Sequence, residues 1–152
     1  MDLKSTKATE RCITDSKFKN WALQNGIVKL SAALKNTSQN ELYKKRQSSG
    51  MQSENRVIEA LLNDGWALLF QRGRTKFGEI DLIFENQDEI RLIEVKTLDE
   101  AWRSFERINQ KQVTKLLQNQ FYLSQKFKSK NFYPQICWVL KNEIHFVEVN
   151  QL

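Results

Sequence analysis

Two short apolar runs constrain this chain more than any other part of it: Gly78-Glu79-Ile80-Asp81-Leu82-Ile83-Phe84, and a little later Ile93-Glu94-Val95-Lys96-Thr97. They read as two strands, Glu79 to Glu85 and Ile90 to Lys96, joined by Asn86-Gln87-Asp88-Glu89. Taking that loop as four residues pairs Glu85 with Ile90, Ile83 with Leu92, Asp81 with Glu94 and Glu79 with Lys96. Residues two apart share a face of a strand, and directly opposed side chains have Cβ atoms about 4.5–5.5 Å apart. The register therefore predicts two carboxylates side by side with a lysine one step away. The reverse face collects Ile80, Leu82, Phe84, Ile93 and Val95 as a dry core face.

Opposed carboxylates repel each other and weaken a bare sheet, and a divalent cation between them reverses that sign. Oxygen donors of this kind suit Mg²⁺ or Mn²⁺. Such an ion polarises a phosphodiester and acidifies water. Asp81 and Glu94 are then the metal ligands, and Glu54, brought in from a preceding helix, is a third carboxylate. Lys96 serves as a fixed positive charge that orients water or stabilises the transition state. The plainer alternative is a Glu79–Lys96 cross-strand ion pair, with Glu54 doing no more than favouring the N-terminus of its helix.

Around this hairpin the pattern predicts a helix from Ser53, as its cap, to about Asp64, stopped by Gly65, with Val57, Ile58, Leu61 and Leu62 as its apolar stripe. A first strand spans Trp66 to Gln71, followed by a basic turn from Gly73 to Gly78 flanked by Arg72. A long amphipathic helix spans about Ser104 to Phe127, with Ile108, Val113, Leu116, Leu117 and Phe121 facing the core. Two last strands, Ile136 to Leu140 and Glu143 to Val149, flank a tight Lys141-Asn142 turn. The small polar stretch Gln47 to Ser53 reads as a linker. It divides a basic, helical extension (1–50) from an α/β domain (51–152) ordered helix, three strands, helix, two strands. In the extension, Phe18 to Leu23 and Ile27 to Leu34 read as two short helices separated by Asn25-Gly26. They form either a nucleic-acid reader or a packing or dimerisation arm.

Charge is partitioned along the chain. Residues 1–50 hold ten Lys/Arg against four Asp/Glu, 51–100 hold eleven acids against six bases, and 101–152 hold three acids against eight bases. An acidic centre flanked by basic segments, with a net charge of +6, suits a metal site serving a polyanion. Two cysteines, Cys12 and Cys137, fit neither a disulfide framework nor a zinc site and point to a reducing compartment. No apolar run reaches the ~18 residues of a membrane helix, and the start does not resemble a signal peptide, so the expectation is a cytoplasmic protein without membrane attachment.

Gly78-Glu79-Ile80-Asp81-Leu82-Ile83 and Glu94-Val95-Lys96-Thr97, together with Glu54, Gly65, Trp66, Leu69, Arg74, Thr75, Phe77, Lys111, Tyr122 and Leu123, resemble the YraN-like family of the PD-(D/E)XK nuclease superfamily. The resemblance runs from about Gly50 to Leu123. It implies a restriction-endonuclease-like core, a central mixed sheet flanked by helices, similar to Holliday junction resolvases. It also implies a metal-dependent endonuclease acting on DNA rather than RNA, on branched or single-stranded substrates of repair or recombination, with Glu54, Asp81, Glu94 and Lys96 as its site. A resolvase-like role implies a homodimer, since cutting both strands takes two sites. Leu98 stands where the family carries Arg after Val-Lys-Thr, Gln71-Arg72 replaces its Arg-Asn pair, and Tyr133-Pro134-Gln135-Ile136 replaces its Arg-Phe-Asp. These departures concern nucleic-acid contacts and fold details, not the carboxylates. The alternative is a non-catalytic nucleic-acid-binding module on the same fold.

Arg72, Arg74 and Lys76 beside the first acidic strand, and Lys111 and Lys115 on the second helix, are the candidate phosphate contacts. Gln118 and Tyr122 share the spacing of an extra motif in RecB-like nucleases. A solvated helix face is the plainer reading of the Lys111, Lys115, Gln118 and Tyr122 stripe. Trp102 and Phe105 are candidates for stacking on a splayed base or for core packing, and His145 for a structural role.

Overall fold

The computed structural model describes residues 16–25, 28–29, 41–98 and 109–149. Among the described residues, three helices, α1 (Lys17–Gln24), α2 (Glu41–Asn63) and α3 (Gln110–Lys126), accompany a six-stranded sheet. Its strands, β1 (Val28–Lys29), β2 (Ala67–Thr75), β3 (Gly78–Asn86), β4 (Glu89–Thr97), β5 (Asn131–Val139) and β6 (Ile144–Glu148), lie in chain order across it. All neighbours are antiparallel except β4 and β5, which run parallel. The chain between these two must therefore cross back over the sheet, and α3 lies in that crossover. The class is α/β with a mixed sheet, as expected.

Both sheet faces are buried, under different helices. Leu69, Ile83, Leu92, Ile136 and Trp138 pack with Phe18 and Ala22 of α1 and Leu116 and Leu123 of α3. Leu82, Phe84, Ile93, Cys137 and Val139 pack with Val57 and Leu61 of α2. Two-sided burial explains why these strands read as near-continuous apolar runs. Cys137 is a free thiol in the α2-side core, and burial pushes its pKa up to about 12. Cys12 lies outside the described residues.

Several expectations need correction. The stretch Gln47–Ser53, expected as a linker, lies inside α2, which begins at Glu41. Ser53 is therefore not a cap. It is buried in mid-helix, where its hydroxyl meets that of Thr97 at 2.7 Å and ties α2 to the end of β4. The helix does stop at Gly65. That residue takes φ +88, while the Gly65 and Trp66 amides donate to the Leu62 and Leu61 carbonyls, a Schellman closure that favours glycine. The expected basic turn at 73–78 is mostly strand: β2 continues to Thr75, and only Lys76-Phe77 turn. Strand β5 begins at Asn131 and carries Pro134 within it. The β3–β4 loop has two residues, Gln87-Asp88, closed by an Asn86–Glu89 pair.

The extension also differs from its expected form. The first predicted helix exists as α1, capped by the Ser16 hydroxyl accepting from the Lys19 amide at 3.0 Å. Within the second, Val28–Lys29 is a strand on the edge of β2, and 30–34 lie outside the described residues. Helix α3 starts at Gln110 because Asn109 is extended and caps it, its side chain accepting from the Lys111 amide. Ser104 to Ile108 lie outside the described residues, as do Trp102 and Phe105. On α3 the inward stripe holds Val113, Leu116, Asn119 and Leu123, whereas Leu117 and Phe121, expected in the core, are exposed. His145 is exposed and paired with Glu143 at 2.8 Å. No helix among the described residues is long and apolar enough to cross a membrane.

Candidate functional site

The site forms where β3 loses its partners on both sides. Glu85–Ile90 and Ile83–Leu92 pair as the spacing predicts, but the β3–β4 ladder ends at Leu82–Ile93. Toward β2 the pairing steps from Gln71–Leu82 to Gly73–Ile80, so Asp81 and the residue facing it, Arg72, are left out. Arg72 takes φ +55, an uncommon conformation for a residue with a side chain. The face alternation slips here as well: Ile80 packs in the α3-side core with Ile83, and not with Leu82 and Phe84 on the expected dry face. Asp81 fills the gap between the strands. Its Oδ2 accepts the Val95 amide at 2.8 Å, taking the place of a ladder bond.

This geometry replaces the expected Asp81–Glu94 and Glu79–Lys96 pairing. The acids are not partners in a continuous ladder; Asp81 turns into a split between the strands, within electrostatic reach of Glu94. Burial raises the Asp81 carboxyl from 3.8 to about 7, reinforced by the Glu94 charge and then Glu54, against the Val95 amide and Lys115. Burial likewise raises Glu94, opposed by Lys115 and Lys96. Glu94 is 6% exposed. Its Oε1 accepts from Gln112 at 3.1 Å and lies 4.0 Å from the Lys96 Nζ, and its Oε2 lies 3.5 Å from the Lys115 Nζ. The two carboxyls thus lie near enough for the Glu94 charge to raise Asp81, and burial holds each away from its ordinary ionisation.

Glu54 approaches from α2. Its carboxylate accepts from the Gln71 amide group at 3.0 Å and pairs with Arg72 at 3.7 Å. Neighbouring strand residues normally point to opposite faces. The left-handed turn of the backbone at Arg72 lets both reach the same acid. Among the described residues no three His, Cys, Asp or Glu side chains converge closely enough to enclose a metal ion. The site thus offers Asp81 and Glu94 as a pair, with Glu54 near enough to act on Asp81 electrostatically.

The basic candidates divide. Arg72 is committed to Glu54 and Lys115 to Glu94. Lys76 lies over the Tyr122 ring at 4.6 Å and the Phe77 ring at 5.1 Å, and Arg74 and Lys111 are exposed. Gln118 is exposed, and Tyr122 is half-buried against Phe77. Sequence reasoning missed Gln71 and Gln112 at the site, and it read Lys115 as a phosphate contact or part of a solvated face rather than as a partner of Glu94. The i, i+3 spacing of Gln112 and Lys115 puts them on one helix face, but nothing in the sequence says that this face meets β4.

The turn between β2 and β3 is pinned onto α3. The fully buried Asn119 receives the Thr75 hydroxyl and donates to the Lys115 carbonyl at 2.9 Å. Gly78 has φ +123, and a Cβ there would lie 2.8 Å from the Lys115 Cδ. Gly78→Ala is expected to cost about 1–3 kcal/mol in urea denaturation through backbone strain alone, and to displace the Lys115 ammonium from Glu94.

Residues 53–138 match the model of the Uncharacterised protein family UPF0102. The chain is similar to a UPF0102 protein of Persephonella marina, 31% identical over 103 residues that cover 65% of this chain and 89% of that protein. It is also similar to one of Campylobacter hominis, 29% identical over 105 residues covering 68% and 94%. A third, of Campylobacter fetus, is 26% identical over 100 residues covering 65% and 89%. The matched stretch contains Glu54, Asp81, Glu94 and Lys96 and leaves α1 outside.

Proposed function

The chain belongs to the uncharacterised protein family UPF0102, and from that premise and the split-strand site we propose that it is a metal-dependent endonuclease of PD-(D/E)XK type, with a restriction-endonuclease-like core, hydrolysing phosphodiester bonds in DNA. One observation carries the reading: the half-buried Asp81 and the buried Glu94 are placed so that the charge of one disfavours ionisation of the other, with Lys96 beside Glu94. A purely structural site would not gain by this arrangement, whereas a cation site would.

The donor set fits Mg²⁺ or Mn²⁺. Magnesium keeps several waters and takes one or two protein carboxylates together with substrate phosphates, so Asp81 and Glu94 suffice. A divalent cation held there supplies charge neutralisation and acidifies the attacking water. Asp81 is aimed by the Val95 amide and Glu94 by Gln112. Lys96 offers a fixed ammonium to the charge that develops on the phosphate. Lys115 favours the charged form of Glu94 against the effect of burial, and Glu54 anchors Arg72 at the edge of the site.

The test is cleavage of branched, flapped and single-stranded DNA with Mg²⁺ or Mn²⁺. Lys96→Ala is expected to lower turnover by about 10²–10³, as loss of one fixed stabilising group does, and Asp81→Ala to abolish it. Activity unchanged in both variants would remove the site. A second reading, a nucleic-acid-binding module that does not cut, draws on the fact that Lys96, Gln112 and Lys115 already satisfy Glu94 without a metal. Salt-dependent DNA binding with no cleavage of any substrate would select it.

A further inference from the structure

We propose that the groove between the β2–β3 turn and the outer face of α3 is a stacking platform for an unpaired nucleobase, making single-stranded nucleic acid the preferred ligand next to the carboxylate site. The groove has a volume of about 380 Å³ and is lined by Phe77, Thr114, Leu117, Gln118 and Phe121. Phe121 is 69% exposed and Leu117 39% exposed. On α3, Thr114, Leu117, Gln118 and Phe121 follow i, i+3, i+4, i+7, so they form one continuous stripe. A large aromatic held this far into water, beside a second ring, leaves an unpaired π face.

The electrostatics select the occupant. Helix α3 carries three lysines, Lys111, Lys115 and Lys126, and no carboxylate. Lys111 and Lys76 are exposed, and the Lys76 ammonium is held beside the groove over Phe77 and Tyr122. Aromatic faces interleaved with cations are what single-stranded nucleic acid requires: bases stack while the backbone runs along the positive charge. A second copy of the chain is a poorer occupant. Two-fold packing would bring α3 and Lys76 against their own equivalents and set like charges together. A paired base offers no free face to the Phe121 ring.

The groove adjoins the site. Phe77 is followed by Gly78, which packs against the Lys115 side chain, and Lys115 is paired with Glu94. A strand whose base lies on Phe121 therefore reaches toward the split between β3 and β4. This inference rests on the nucleic-acid reading above and deepens it by naming the substrate form.

The experiment uses the full chain in EDTA with two fluorescein-labelled probes, a (dT)15 oligonucleotide and a blunt duplex, titrated at several salt concentrations. A 2-aminopurine within the single strand reports stacking directly. Phe121→Ala is expected to weaken (dT)15 binding about tenfold, from the loss of one stacked base, to abolish the 2-aminopurine quench, and to leave duplex affinity and the salt slope unchanged. Phe121→Trp is expected to restore binding. Loss of less than twofold, equal loss on both probes, or conversion of a dimer to a monomer on sedimentation of Phe121→Ala would overturn the proposal. The two readings fail separately. Phe121-dependent strand binding without cleavage sinks the endonuclease and keeps the platform; cleavage whose single-strand preference survives in Phe121→Ala does the reverse.

Discussion

In metal-free solution above pH 7, Asp81→Asn is expected to be more stable than the natural chain while having lost cleavage. The Asp81 carboxyl has its pKa raised to about 7 from 3.8, by burial first and then by the charges of Glu94 and Glu54. An acid whose folded pKa lies above its unfolded one takes up a proton on folding. Its presence therefore costs nothing below the unfolded pKa, and the cost grows as pH rises toward the folded one. The window runs from 3.8 to about 7. Asparagine carries no charge, and its side-chain oxygen still accepts the Val95 amide. The stability gap between variant and natural chain should thus be absent below the window, open through it and level off above it. The group is partly exposed and one of an interacting pair, so the plateau is expected at about 2 kcal/mol. Urea denaturation in EDTA across that pH range measures it. Destabilisation of equal size at every pH would mark Asp81 as a hydrogen-bond acceptor only.

The same variant separates stability from function. Mn²⁺ should stabilise the natural chain by about 2.7 kcal/mol at a hundredfold excess over its dissociation constant, and should do little for Asp81→Asn. Carboxylates held together against repulsion are the kind of local sacrifice that functional sites make. An unchanged melting temperature with Mn²⁺ in the natural chain would count against the cation.

Phe18→Ala is expected to destabilise the protein by about 3–5 kcal/mol, the cost of emptying a buried aromatic site, which is a large part of the stability of a chain this size. Phe18 is fully buried and meets Trp21, Phe127 and Phe132 at ring separations of 6.2, 5.6 and 5.3 Å. Phe127 closes α3 and Phe132 lies in β5, so α1 covers the crossover between the two parallel strands. Thermal or urea denaturation checks the size of the effect. A loss under 1 kcal/mol would mean that α1 only rests on the sheet. Since Phe18 lies outside the stretch matched by the family model, this variant also tests whether the N-terminal region has become part of the core in this chain.

The site was partly legible because a strand alternates with an exact period of two. The spacing of Glu94 and Lys96, and the register through Ile83–Leu92 and Glu85–Ile90, follow from that period and from a short turn. The break at Asp81 was not legible. It depends on Arg72 entering the left-handed region across the strand, a backbone choice that no apolar or polar pattern encodes. Extrapolating the regular register therefore brought Asp81 and Glu94 near each other by an incorrect route.

Helix α3 shows the same limit. Its sequence supports two apolar stripes, one through Val113, Leu117 and Phe121 and one through Val113, Leu116 and Leu123. Periodicity cannot rank them, because both satisfy helical spacing. The sheet chose the second, burying the polar Asn119 where it could bond Thr75 and Lys115 and leaving Phe121 in water.

By itself, then, the sequence determined the order of the main strands and helices from Trp66 onward, the pairing of β3 with β4 near their turn, and the set of acids and lysine, Asp81, Glu94 and Lys96, on which the proposed chemistry draws. Those properties are local and repeat with the geometry of one element. Only the tertiary structure decided that α2 runs through the supposed linker, that Ser53 meets Thr97 rather than capping a helix, and that Gln112 and Lys115 of α3 hold Glu94. Each of these depends on which face of one element meets another, and that is set by packing across the whole sheet, where residues far apart in the chain compete for the same buried space.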